Sequence, residues 1–152
     1  MPGITTKDVM ALRDETGAGI MACREALLDA NGDASTARRL LAERGAAQVA
    51  KRTTRTASEG FVADYNHQGR VVGVVELRCE TDFVARNDGF RELAQRLAEQ
   101  VAAMAPADVD ELLAQAWIRD GSLTMGELVG QASARFGEKV EVGDIARIAV
   151  GG

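Results

Sequence analysis

Aromatic side chains are scarce in this sequence. They make up 4% of its 152 residues, with one Trp and one Tyr among them. Aromatic residues supply much of the buried area of an ordinary core, so the core here must be built from Leu, Val, Ile and Ala. Cysteine is scarce as well. Cys23 and Cys79 are too few for the disulfide framework of a small secreted domain, and we expect both to be buried thiols.

Histidine occurs once, as His67, in a segment that we expect to be a loop. No second His or Cys and no carboxylate stands at ligand spacing from it, and a metal site needs several such ligands. We therefore expect neither a metal site nor a cofactor.

The sequence also has fewer positive than negative charges, and it lacks long apolar runs. The formal net charge of −5 argues against general nucleic-acid binding, which needs a basic field, so we expect a protein partner. No apolar run is long enough to span a bilayer, and the N-terminus has no apolar signal stretch. We predict a cytoplasmic protein that does not enter a membrane.

Residues 1–45, named the N-module here, have the apolar spacing of three short helices. The first is expected to end near Gly17, the second to cover about Ile20–Ala30, and the third to end at Gly45. Short helices are marginal alone in water, so these three must pack on each other. Residues 46–58 are rich in Ala and basic residues and contain no Gly or Pro, which predicts a helical linker.

Residues 59–152 predict an α+β core with a small three-stranded antiparallel sheet. Gly60–Tyr65 and Arg70–Glu80 are β-like runs joined by a short polar loop, as in a hairpin. A third strand is expected within Lys139–Val150, because apolar residues alternate there. That alternation places five apolar residues on one face, interrupted by Asp144: Val140, Val142, Ala146, Ile148 and Val150.

Helices are expected to cover this sheet. Asp88–Met104 has the clearest amphipathic pattern in the chain. A shorter helix is predicted from Asp108 through Trp117, followed by a turn at Asp120–Ser122. A last helix is predicted to begin after Thr124, a residue that commonly caps helices.

A short motif joins the second strand to the long helix, and its sequence is Thr81-Asp82-Phe83-Val84-Ala85-Arg86. Taken alone, Asp82 would cap a helical turn and Phe83 would be a core residue. The string nevertheless resembles the signature of elongation factor Ts, the nucleotide-exchange factor for the translational GTPase elongation factor Tu. A second stretch, Leu12–Cys23, resembles another motif of that family.

The resemblance implies a mechanism and a partner. Elongation factor Tu carrying GDP would be bound, and the turn would reach its magnesium site, where Phe83 wedges between helices and Asp82 helps to fix the turn. The residues implied in this contact are Thr81, Asp82, Phe83 and Val84. No catalytic residue is implied.

The resemblance also implies a ubiquitin-associated-type fold for the N-module and contacts from it to the G domain of elongation factor Tu. The implied contact residues are Arg13, Ile20 and Met21. Ile20 stands where the family more often has Met, and Gly143-Asp144 stands where it usually has a basic residue.

The sequence leaves two other functions less favoured. Catalysis is not favoured, because Glu80 and Asp82 have no His or Lys partner nearby and Cys79 has no base. The alternative of a different class is an adaptor of the same fold that binds protein but has lost exchange activity.

A homodimer is also predicted. Val72 and Val74 alternate with the residues that face the helices, so the far face of the sheet is apolar and needs a cover. A second copy of the same sheet would supply it.

Overall fold

A computed structural model describes residues 3–152. The chain divides into two compact units. The first ends at Thr53, and the second is Thr54–Gly152. Residues 1 and 2 of the predicted N-module lie outside the described residues, and each unit is described by itself below.

From residue 3 onward, the first unit consists of three helices: α1 (Thr6–Thr16), α2 (Ile20–Asp29) and α3 (Ala34–Arg52). Thr5 begins α1 with a reciprocal capping box to Asp8, and Gly17 ends it at a φ of 70°, which glycine adopts without strain. Asp33 begins α3 by accepting a hydrogen bond from the backbone of Thr36. The helices share a core of small and medium side chains: Val9, Leu12, Cys23, Ala26, Leu27, Ala30 and Ala37.

The prediction that Gly45 ends the third helix is wrong, because α3 continues to Arg52. Glycine stops a helix when it adopts a positive φ after the last turn, and Gly45 does not have one. Inside a helix, glycine costs about 1 kcal/mol relative to alanine. Good helix formers follow at once, and they continue the helix into the segment that we predicted to be a helical linker.

The second unit contains a sheet, several helices and a small hairpin. Its elements in chain order are β1 (Glu59–His67), β2 (Val71–Cys79), α4 (Asp82–Ala85), α5 (Asp88–Met104), α6 (Val109–Ala114), β3 (Ala116–Trp117), β4 (Asp120–Thr124), α7 (Met125–Phe136) and β5 (Glu141–Ala149). The main sheet has the order β1-β2-β5 and is antiparallel throughout. The predicted α+β class and the three-stranded sheet are confirmed.

Helix α5 packs directly on the sheet. Its predicted apolar stripe is buried from Phe90 to Val101, whereas Met104, which we predicted to be the last residue of the stripe, is 49% exposed. At Gly73 in β2 the helix lies so close to the strand that a Cβ would be 2.3 Å from the carbonyl oxygen of Ala98. The central strand therefore needs a residue without a side chain at this crossing.

The predicted helix from Asp108 through Trp117 is too long, since α6 ends at Ala114. Ala116 and Trp117 form strand β3, which pairs with β4. Strand β4 occupies Asp120–Ser122, where we predicted a turn. The reason lies in Gln100, a residue of α5 whose side chain is completely buried. Its amide donates to the Ala116 carbonyl at 3.0 Å and accepts from the Ile118 backbone at 3.1 Å. A continuing helix could not offer these two groups, because it would bond them within its own backbone.

The predicted alternation of the last strand is also wrong in part. Val142 pairs with Leu77 and Ile145 with Val75, so β5 has one more residue than β2 over this step. This β-bulge at Gly143-Asp144 reverses the faces beyond it. Val142 therefore faces the helices, whereas Ala146 and Ile148 lie on the opposite face.

Within residues 3–152, no helix combines the length and the apolar character needed to cross a membrane.

Candidate functional site

The turn between β2 and α5 is built around a single-turn helix, α4. Thr81 caps α4, with its hydroxyl accepting from the Val84 backbone at 3.3 Å. Val84 and Ala85 point into the core and are 4% and 3% exposed. Because one helical turn places two of its residues inward, the other two face outward, and these are Asp82 and Phe83.

Phe83 is 84% exposed, which is more than any other large apolar side chain that the structure describes. A buried Phe contributes strongly to stability, so this ring contributes nothing of that kind to the free chain. Asp82 beside it forms an ion pair with Arg86 at 2.8 Å. An exposed pair one helical turn apart is worth only about 0.3–0.5 kcal/mol, so it biases the orientation of the acid without fixing it.

The turn is held from the far end of the chain by Glu138, which follows α7. One carboxylate oxygen accepts from the backbone N–H groups of Glu80 and Thr81, each at 3.0 Å, and the other accepts from the Thr81 hydroxyl at 2.7 Å. Glu80 makes the reverse connection, since its carboxylate accepts from the Lys139 backbone at 2.9 Å. These four hydrogen bonds join the two segments in both directions.

Cys79 lies under the turn and is fully buried. Its thiol donates to the Thr81 carbonyl at 3.2 Å. Burial, aided by the negative charge of Glu138, raises the pKa of the Cys79 thiol to about 11. A thiol with a raised pKa is a poor nucleophile, so Cys79 fills space here.

The two carboxylates of the motif do not act as a pair. Glu80 bonds to the Lys139 backbone and lies 3.5 Å from an Arg55 guanidinium nitrogen, whereas Asp82 pairs with Arg86. Among the described residues, no group of three or more His, Cys, Asp or Glu side chains is arranged to hold a metal ion.

The predicted contact residues of the N-module lie in the first unit. Ile20 and Met21 occupy the first turn of α2 and are 49% and 59% exposed, and Arg13 is exposed on the last turn of α1. Ile20 borders a shallow depression of about 160 Å³ that Ile4 and Arg24 also line. The predicted residues thus fall into two sets, one in each unit.

Sequence reasoning missed Glu138. It stands 57 residues after Thr81, directly behind the glycine that ends α7, and nothing in its neighbourhood marks it. A lone Glu after a helix is usually a solvated residue. Only the pairing of β5 with β2, which brings the two segments together, could have indicated it.

Taken together, the fold and the turn are typical of a protein that binds another protein. An exposed aromatic ring stands on a helical turn that hydrogen bonds to Glu138 hold in place. Exposed apolar side chains of this kind are typical of the central anchors of protein interfaces.

Comparison with known proteins gives the family. The family model described as Elongation factor TS matches residues 80–152. Elongation factor Ts of Kineococcus radiotolerans is 44% identical over 148 residues, which is 97% of this chain and 52% of that protein. The protein of the same name from Nostoc is 44% identical over 144 residues, 93% of this chain and 45% of its own length.

A third relative matches along its whole length. Elongation factor Ts of Frankia alni is 36% identical over 198 aligned positions, covering 97% of each chain. The chain therefore belongs to the elongation factor Ts family. It spans about half the length of the first two relatives, and the Frankia protein has residues that it lacks.

Proposed function

We propose that this chain is a guanine-nucleotide exchange factor of translation elongation, which binds elongation factor Tu carrying GDP and accelerates the release of GDP. One observation carries the proposal: Phe83 is 84% exposed on a turn with the family signature. An apolar ring that gives nothing to the fold is available for a partner. Translation takes place in the cytoplasm, and we place the chain there.

In the proposed mechanism, Phe83 wedges between helices of the G domain and displaces groups that hold the magnesium ion. That ion offsets the charge of the diphosphate, so its loss weakens GDP binding. Thr81 and Val84 shape the turn, and Asp82 adds a polar contact. Because binding is reciprocal, the factor must prefer the nucleotide-free partner to the same extent that it weakens GDP.

The N-module supplies a second proposed contact. Ile20 and Met21 expose apolar surface at the start of α2, and Arg13 places a cation on α1. We assign these three residues to the G domain of elongation factor Tu. They provide affinity, whereas the turn acts on the nucleotide site.

Stopped-flow release of fluorescent GDP from elongation factor Tu tests the proposal. The chain should accelerate release, and Phe83→Ala should remove roughly 2 kcal/mol or more of the interaction, as expected for an interface anchor. The free energy of unfolding should change by no more than about 0.5 kcal/mol, because the ring is exposed. Met104→Ala, which truncates another exposed apolar residue of the second unit, should leave GDP release unchanged.

A second candidate follows from the alignment with the Frankia protein, which has residues within the aligned range that this chain lacks. In this alternative the chain is an adaptor that binds elongation factor Tu without releasing GDP. Calorimetric titration beside the release assay separates the two functions. Tight binding with an unchanged rate of GDP release would reject exchange and favour the adaptor.

A further inference from the structure

We propose that Glu138 is a positioning residue for nucleotide exchange, because its carboxylate fixes the turn that presents Phe83. This inference rests on the proposed function and goes beyond it, since it assigns a role to a residue outside the family signature. It starts from the hydrogen-bonding capacity of the turn. A segment that leaves a strand and enters a one-turn helix has several backbone donors without a partner in either element.

Glu138 satisfies these donors in one place. Its carboxylate accepts from the N–H groups of Glu80 and Thr81 and from the Thr81 hydroxyl. Hydrogen bonds to a charged acceptor are roughly twice as strong as neutral ones. The hydroxyl bond has a further effect. It directs the Thr81 proton towards Glu138, which leaves a lone pair of the same oxygen for the Val84 N–H, so Glu138 also supports the cap of α4.

Glu138 is itself held at both ends. Its carbonyl oxygen accepts from the hydroxyl of Ser133, a buried residue of α7, at 2.6 Å. The next residue, Lys139, donates its backbone N–H to Glu80. We call the hydrogen bonds of Glu138 to Glu80 and Thr81 the clamp. The clamp connects α7, which is packed in the core, to the turn.

The consequence concerns the direction of the ring. Phe83 has no packing of its own to orient it, since it is 84% exposed. Its position depends on the backbone of α4, and four residues are too few to form a stable helix without support. Without Glu138, the start of α4 would sample more conformations, and the ring would be oriented by the partner at a cost in binding free energy.

The experiment compares four proteins besides the parent: Glu138→Ala, Glu138→Gln, Phe83→Ala and the control Glu127→Ala. Glu127 is matched to Glu138, since its carboxylate also accepts a backbone N–H at the start of a helix, from Thr124 at 2.8 Å, but it lies away from the turn. Two quantities are measured for each: the rate of GDP release from elongation factor Tu, and amide hydrogen exchange at Glu80, Thr81 and Val84 in the free chain.

Glu138→Ala should speed hydrogen exchange at those three amides and lower the rate of GDP release about tenfold, because the partner must then order the turn and the ring on binding. Glu138→Gln should be intermediate, because its carbonyl oxygen can keep the two backbone hydrogen bonds. Glu127→Ala should change neither quantity at the turn, although it removes a comparable helix cap. A loss of GDP release in Glu127→Ala equal to that in Glu138→Ala would show an effect of stability and overturn the inference.

The two proposals fail in different ways. If Phe83→Ala slows GDP release and Glu138→Ala does not, the proposed function stands and the role of Glu138 is overturned. If Phe83→Ala leaves release at the parent rate, the proposed function fails, and with it any role of Glu138 in exchange. Unchanged hydrogen exchange in Glu138→Ala would overturn the clamp whatever the rates of release.

Discussion

Cys79 and Phe83 stand four residues apart and meet opposite environments. The thiol is fully buried and the ring is 84% exposed. This distribution is unusual, because burying a Phe side chain stabilises a fold more than burying a Cys side chain does. Cys79, the last residue of β2, points into the core. The chain then changes direction at Thr81, the cap of α4, so that Val84 and Ala85 rather than Phe83 fill the core. Local backbone geometry thus decides which side chain is available to a partner.

Burial of Cys79 predicts a pH dependence of stability. Its pKa is raised from an ordinary 9.0 to about 11 in the folded chain, so between these values the unfolded chain releases a proton that the folded chain keeps. The contribution of Cys79 is therefore fully present below pH 9 and is lost as the pH rises towards 11. Urea denaturation from pH 8 to pH 10.5 should show a shallower decline for Cys79→Ala than for the parent. Equal slopes would contradict the assignment.

At the scale of elements, two glycines are expected to behave oppositely. Gly73 lies where α5 crosses β2, and a Cβ there would meet two backbone atoms, the Ala98 oxygen at 2.3 Å and the Ala102 nitrogen at 2.7 Å. Gly130 lies within α7 with no heavy atom within 4 Å of such a Cβ. The first position is closed to a methyl group and the second is open.

Gly73→Ala should therefore lower the free energy of unfolding by about 1–3 kcal/mol or more, because backbone on both elements must shift. Gly130→Ala should raise it by about 0.5–1 kcal/mol, since alanine loses less entropy in a helix. Urea denaturation of both variants with unchanged m-values measures the two effects. A stabilised Gly73→Ala would show that α5 does not approach the strand so closely.

The elements that the sequence predicts well are those whose own residues determine them. The stripe of α5 is periodic over its whole length, and Asp88–Met104 was predicted to the residue. Two of the elements predicted wrongly depend on distant partners. Ala116 is extended because Gln100, on another element, needs hydrogen-bond partners. The bulge in β5 depends on the pairing with β2, which no single segment of sequence contains.

The candidate site likewise contains both local and distant determinants. The Thr81–Arg86 motif is local, and its sequence alone indicates a turn with a family resemblance. Glu138 is remote, and its role exists only after β5 has paired with β2. Sequence therefore predicts the residue that would touch the partner, and the structure adds the residue that holds it in place.

At the scale of the whole molecule, the far face of the sheet leaves apolar side chains half-buried or exposed. Register places Val72 opposite Ile148 and Val74 opposite Ala146, so four apolar residues form one continuous patch there. Ile148 is 76% exposed, and Val62 on β1 is 61% exposed. The patch is bounded on one side by the ion pair of Glu76 with Arg78, whose nitrogen and oxygen lie 2.9 Å apart.

An apolar patch rimmed by charge is typical of an interaction surface. The sheet is also open at both edges, β1 and β5, and open sheets that expose apolar residues tend to aggregate unless they are covered. A second copy of the chain can cover the patch by a two-fold axis through the sheet, which is the commonest symmetry of soluble oligomers. The homodimer remains a prediction.

Light scattering at micromolar concentration decides between monomer and dimer, and Ile148→Lys is the variant of choice. In a monomer, a lysine at a position that is 76% exposed is solvated and leaves stability nearly unchanged. In the dimer, two lysines would be buried near the axis without partners, which costs several kcal/mol. The parent should have twice the monomer mass, Ile148→Lys should have the monomer mass, and Leu28→Lys, at an exposed apolar position of the first unit, should remain dimeric. A parent that keeps the monomer mass as its concentration rises would show that the patch is left to another partner.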